Sequence, residues 1–187
     1  MAKNQYTVPK KSVWYVFKTL LIILVVAGIG VGAFTMAMYV SNMYILVTEG
    51  MHLRAECILQ DGSVLEMTEY FTQHFVDKDA ALKDSKYDAF TITDFTYNVD
   101  IEGISVMPWG NTAGFRVMEK VTGIAATVNE GSGNPDAKLP EWKTTRYDIV
   151  FKRIDSRWYI DELKLIDENP TPRPKGTPDL SLLQENG

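Results

Sequence analysis

Thirty consecutive residues, Thr19 to Thr48, carry no charge. About 20 apolar residues already cross a hydrocarbon core of roughly 30 Å, and a chain in lipid must satisfy its backbone internally, so this stretch reads as a membrane-spanning helix. Aromatic rings bracket it, with Trp14 and Tyr15 at one end and Tyr39 and Tyr44 at the other, as amphipathic rings do at headgroup level. These marks place the span over residues 16–40, slightly longer than the core and therefore tilted, and the helix is free to continue to about residue 60. The rival reading is a cleaved signal peptide, because Ala33, Thr35 and Ala37 are small enough for a peptidase. A signal's apolar region is typically about 7–15 residues and leads into polar chain. Here Met38, Tyr39, Val40, Met43, Tyr44, Ile45, Leu46 and Val47 carry the apolar pattern past that point, which favours the span.

Charge is distributed around this segment, and the distribution says more than the total. The net −5 of the 187-residue chain divides into +4 on residues 1–18 (Lys3, Lys10, Lys11, Lys18), zero on 19–48 and −9 beyond. By the positive-inside rule residues 1–15 form a cytoplasmic arm, and residues from about 45 onward lie outside the cell membrane. An acidic outer part repels phosphate, so no nucleic-acid partner is expected. One cysteine, Cys57, excludes a disulfide framework and a multi-thiolate zinc site, and Arg54-Ala55-Glu56 before it is no lipobox. Within the span Gly28 and Gly32 make a G-x-x-x-G step, and Ala33 and Ala37 repeat the spacing one residue on. Small residues four apart let helices approach closely, so a homo-oligomer is a physical option; glycine is also simply common in such helices.

The outer part has room for one domain, over residues 62–167. Its first portion has a helical period. Met51, Ala55, Ile58 and Leu59 form a stripe, which Asp61-Gly62 interrupts. Ser63 with Glu66 matches the S-x-x-E capping box and predicts a second helix carrying Leu65, Tyr70, Phe71, His74 and Phe75. A third, short helix is expected around Lys78–Asp84, with Asp77 as its N-cap. From Phe90 the period drops to two. Phe95, Tyr97, Val99 and Ile101 alternate with polar residues up to a turn at Pro108-Trp109-Gly110-Asn111, and Phe115, Val117, Glu119 and Val121 return, with Gly123 marking a bulge. After a Gly, Asn and Pro-rich loop, Tyr147, Ile149 and Phe151 form a third strand, and Trp158, Ile160, Leu163 and Leu165 a fourth beyond Asp155-Ser156. The expected fold is α+β: an N-terminal transmembrane helix, then helices packed on a curved, cone-like four-stranded antiparallel sheet. Residues 168–187 hold four of the eight prolines and read as an extended, disordered tail.

The closing hairpin, a basic pair and a turn followed by Arg157-Trp158-Tyr159-Ile160-Asp161-Glu162-Leu163, resembles the nuclear-transport-factor-two-like (NTF2-like) superfamily over roughly Gly62 to Asp167. With one span in front, the layout is also similar to the inner-membrane assembly subunit of type IV secretion and conjugation systems. The first resemblance implies a sheet with a concave pocket, which enzymes of the superfamily such as isomerases and dehydratases use with a Tyr or His donor and an Asp base. The second implies a scaffold role without catalysis.

Residues suited to such a pocket are Tyr70 and His74, one helical turn apart, and Tyr97, with Asp94 or Asp161 as a carboxylate. Core aromatics and a half-exposed histidine account for the same residues without chemistry. His52 and His74 fall into no metal-binding spacing, and Gly131-Ser132-Gly133 is no phosphate loop, so no catalytic residue, metal or cofactor is assigned. Trp109 and Trp142 flank turns, where exposed tryptophan anchors partners. The expectation is a membrane-anchored interaction or scaffold subunit, in contact with the lipid bilayer and with protein partners. The alternative is a small-ligand receptor or isomerase-like enzyme that uses the sheet pocket.

Overall fold

The computed structural model describes residues 10–129 and 138–171. Most of the N-terminal arm, the centre of the loop containing Gly131-Ser132-Gly133, and nearly all of the proline-rich tail lie outside the described residues.

One helical rod dominates the chain: α1 (Lys10–Ile45), a π-helical turn (Leu46–Gly50) and α2 (Met51–Gln60) follow without a break. It contains the one stretch among the described residues that is long and apolar enough to cross a membrane, and the apolar part is bare of protein. Cover begins at Tyr39 and Val40, and from there Met43, Val47, Met51, Ala55 and Leu59 are buried at a constant spacing of four. In a regular α-helix each four-residue step overshoots a full turn by about 40°, so four steps would carry the stripe about 160° round the rod. The π turn, with its wider i→i+5 bonding, takes back part of that drift and keeps the stripe on the domain. Gly50 lies where Tyr70 approaches the rod: a Cβ there would stand 2.9 Å from the Tyr70 Cβ.

Asp61 ends α2 in the left-handed conformation (φ 53°). The two further helices expected here are corrected by the structure. Ser63 precedes α3 (Val64–Met67) with an extended backbone but makes no side-chain cap bond, so the capping box does not form. The helix stops after one turn because the chain is drawn to the sheet: Ile160 N–H donates to the Tyr70 carbonyl (2.8 Å) and Thr72 N–H to the Ile160 carbonyl (2.9 Å). Two sheet-type bonds and burial of Phe71 against Phe75 (centroids 4.6 Å apart) replace the helical continuation. α4 (Gln73–Lys78) then starts with Thr72, whose hydroxyl accepts from Phe75 N–H (3.2 Å). Asp77 falls inside α4 and caps nothing; the expected third helix is a single 3-10 turn, Ala81–Lys83, before which Asp79 accepts from Ala81 N–H (3.0 Å).

Four strands form one antiparallel meander in the order β1-β2-β3-β4: β1 (Phe90–Ser105), β2 (Thr112–Val128), β3 (Thr145–Ile154) and β4 (Arg157–Glu168). Gly123 (φ 63°) lies at a register shift between β1 and β2, where only a residue without a Cβ adopts such a backbone cheaply. Asp155 and Ser156 both have positive φ, the two-residue turn whose twist suits a hairpin. β3 pairs only with residues 112–119 of β2, so the remainder of the β1–β2 ribbon extends past the other strands. The inward-facing row of Ala113, Phe115, Val117, Ile149, Phe151 and Ile160 packs on Met43, Val47 and Met51 of the rod. A smaller cluster of Leu59, Tyr87, Ile92 and Val121 closes the end remote from α1. The outer face carries ion pairs between strands, Arg146 to Glu102 (2.8 and 3.0 Å) and Arg116 to Asp148 (2.8 and 2.9 Å), each bidentate.

Candidate functional site

Period-two burial on β2 places Glu119 on the same face as Val117 and Val121, so its carboxylate goes inward with them. There it is fully buried. Tyr97 on β1 donates its hydroxyl to Oε1 (3.2 Å), whereas Oε2 has no hydrogen-bond partner. Arg54, held on the buried side of α2, supplies positive charge nearby but spends its planar fork on Asp79: Nε to Oδ2 at 2.6 Å and Nη2 to Oδ1 at 3.2 Å. Both side chains of that pair are about nine-tenths buried. Tyr147 on β3 completes the group.

The electrostatics follow from burial. Desolvation holds the Glu119 carboxyl above the ordinary carboxylate range, a rise that Arg54 and the Tyr97 bond reduce without cancelling. Burial, with Glu119 beside them, also raises the Tyr97 and Tyr147 hydroxyls. A carboxyl with a raised pKa beside tyrosines can hold a proton, the property required of a general acid or base. The same residues contain no nucleophile paired with a base. Among the described residues no group of three or more His, Cys, Asp or Glu is placed to hold a metal ion.

A groove of about 860 Å³ opens beside this cluster, between α4 and β4, with Arg54, Asp79 and Tyr147 in its wall and His74, Lys78 and Asp161 at its sides. A recess of about 240 Å³ shares Arg54 and Tyr147 and runs on to Lys86 and Trp142.

The three pocket residues expected from sequence do not converge. Tyr70 turns to the rod and donates its hydroxyl to Glu49 (3.2 Å). His74 is exposed on α4 at the groove, and Tyr97 is inside with Glu119. Of the carboxylates, Asp161 lines the groove and accepts from the Thr72 hydroxyl (2.8 Å), while Asp94 is exposed on β1. His52 stacks on Phe95 and meets Tyr97 edge-on, with centroids 5.6 and 5.4 Å away. Cys57 is buried in α2, and desolvation pushes its thiol up to about 11. The signal that could have exposed the buried cluster was present in the sequence: Glu119 occupies an apolar position of a period-two strand, and Arg54 lies one residue before Ala55 of the helical stripe.

The two tryptophans differ in setting. Trp109 is 83% exposed at the tip of the β1–β2 hairpin. Trp142 is half-buried and stacks on Tyr87 (6.3 Å), with the Lys86 ammonium above both rings. On α1, nothing lies within 4 Å of where a Cβ would stand on Gly28 or Gly32, so that face is open, as are Ala33 and Ala37. Compared with known proteins, the chain matches no protein-family model and no curated protein.

Proposed function

We propose that this chain is a single-pass membrane protein with a cytoplasmic N-terminus, whose outer α+β domain is a non-catalytic interaction or scaffold subunit of a cell-envelope assembly, of the secretion or conjugation kind its layout resembles. The observation that carries this reading is the unbroken rod from α1 through the π turn into the domain core. A tethered enzyme needs only a flexible leash, whereas here Met43, Val47 and Met51 are both rod and core, so the helix that carries the apolar stretch is built into the domain. Fixed orientation at a membrane is what an assembly subunit requires. Burial of Met51, Ala55 and Leu59 of α2 supports the same reading, because Glu119 is shut in with them and has no access to a substrate. Protein partners, further copies of the chain among them, are the expected ligands, and the open Gly28–Gly32 and Ala33–Ala37 steps each suit helix self-association.

Crosslinking in intact cells followed by mass spectrometry tests this reading. Adducts between the outer domain and other envelope proteins are expected, and recovery of the uncrosslinked monomer alone would overturn it. Protease shaving of intact cells should remove residues 60–187; their protection would reverse the orientation.

A second reading, a small-ligand receptor, is favoured by the groove itself. Asp79, Asp84, Asp161, Glu162 and Glu168 outnumber Arg54 and Lys78 around it, so it would select a cation. A thermal-shift screen in which cationic compounds raise Tm supports this reading, and a Tm unchanged throughout removes it.

A further inference from the structure

We infer that the tip of the β1–β2 hairpin, Met107-Pro108-Trp109-Gly110, inserts into the headgroup layer of the bilayer that α1 spans, giving the outer domain a second contact with the lipid surface. The inference rests on the membrane-spanning reading of α1 and adds where the domain lies relative to that membrane.

The level of the tip is fixed by a chain of contacts. The Arg153 guanidinium donates to the Tyr39 hydroxyl and lies over the same ring, 5.3 Å from its centre. Arg153 N–H donates to the Asn111 carbonyl (2.8 Å), so Asn111 lies within an arginine side chain's reach of Tyr39. The direction along the rod is equally defined. Ile92 clusters with Leu59, and Phe95 and Tyr97 meet His52, so β1 advances toward α1 as its residue numbers rise. Residues 107–110 therefore lie at the membrane-side end of the sheet. From Leu59 back to Tyr39 the rod covers about 30 Å, whereas Ile92 to Met107 covers about 50 Å of strand, enough to reach the level of Tyr39 even on a steep diagonal. With the span over residues 16–40, Tyr39 lies at its outer boundary.

What the tip presents at that level is chemistry for an interface. Trp109 is 83% exposed, with Met107 at 57% and Ile104 at 52%, and no charge occurs from Ser105 to Thr112. Tryptophan is the residue enriched at headgroup depth. The neighbouring β3–β4 tip carries Lys152, Arg153 and Arg157 against Asp155 alone, a positive edge on a region whose net charge is −9. Anionic lipid headgroups complement it. Arg157 donates to the Glu69 carbonyl (2.9 Å) and lines a recess with Glu49 and Glu69, so Arg153 is the cation of this edge that meets Tyr39.

The test is depth-dependent quenching by brominated lipids. The full chain is reconstituted into phosphatidylcholine and phosphatidylglycerol liposomes, and its emission is compared with that of Trp109→Ser and Trp14→Phe variants. Exposure of Trp109 makes its replacement harmless to the fold. The expected result is that bromines just below the headgroups quench Trp109 emission more than bromines at the bilayer centre, and that W109S loses this component. Quenching of Trp14 but not Trp109 would overturn the insertion while leaving the span intact, and would free the tip for a protein partner. Quenching of neither would overturn the span and the insertion together.

Discussion

Arg54 and Asp79, 25 residues apart, form a bidentate ion pair that joins the rod to the segment after α4 and is almost wholly shielded from water. A buried pair adds little net stability over an apolar substitute, but breaking it leaves one charge uncompensated. Arg54→Ala should cost about 3–5 kcal/mol, because it strands Asp79 and also removes the charge facing Glu119. Urea unfolding followed by near-ultraviolet circular dichroism in detergent measures it; a loss below about 1 kcal/mol, the range of exposed pairs, would contradict this account.

Glu119 makes stability depend on pH in a defined direction. Its folded pKa is raised from the ordinary 4.5, first by desolvation, so the folded state binds the proton more tightly than the unfolded chain. The corresponding stability is complete below pH 4.5 and is lost as pH rises through the folded value. Glu119→Gln keeps the shape and removes the titration, so its Tm should exceed that of the unsubstituted protein at pH 8 and lose that advantage at pH 4. Parallel melting curves across that range decide it, and an identical pH slope in both proteins would refute the assignment.

Gly50 admits Tyr70 to the rod. In Gly50→Ala the new Cβ would fall 2.9 Å from the Tyr70 Cβ, an atom that moves only with the backbone. Overpacking of about 1–3 kcal/mol should outweigh the roughly 1 kcal/mol that alanine's helix preference returns. A variant more stable than the parent would show that the 70–72 segment yields easily.

Burial of Cys57 predicts a protected thiol. With its pKa pushed from 9.0 to about 11, chiefly by desolvation, little thiolate forms at pH 8. Alkylation by iodoacetamide at that pH should be far slower in the folded protein than in urea, and equal rates would place the thiol at the surface. The same shift removes stability as pH climbs from 9 toward 11.

Local pattern was sufficient wherever one period governs a long stretch. The uncharged run marked the apolar helix, the alternation from Phe95 onward marked the strands, and Asp155-Ser156 marked a turn that the positive φ values explain. It failed between Ser63 and Asp84, where helical periodicity continues in the sequence but Tyr70 and Thr72 give their backbone groups to Ile160, 88 residues or more away. No window of sequence contains that competitor. The surroundings of the candidate-site residues were hidden in the same way. Tyr70, His74 and Tyr97 share suitable chemistry, yet their partners are Glu49, the groove and Glu119, which only packing selects.

The sequence by itself therefore determined the elements whose driving force is local or solvent-wide: an apolar helix long enough to cross a membrane, and a two-residue alternation that builds a one-sided sheet. Tertiary structure alone decided that α1 and α2 are one rod turned by a π segment, that Arg54 pairs with Asp79 and Tyr97 with Glu119, and that Trp109 stands exposed at the tip of the β1–β2 hairpin. These depend on contacts between residues far apart in the chain, where geometric fit and desolvation rather than periodicity set the outcome.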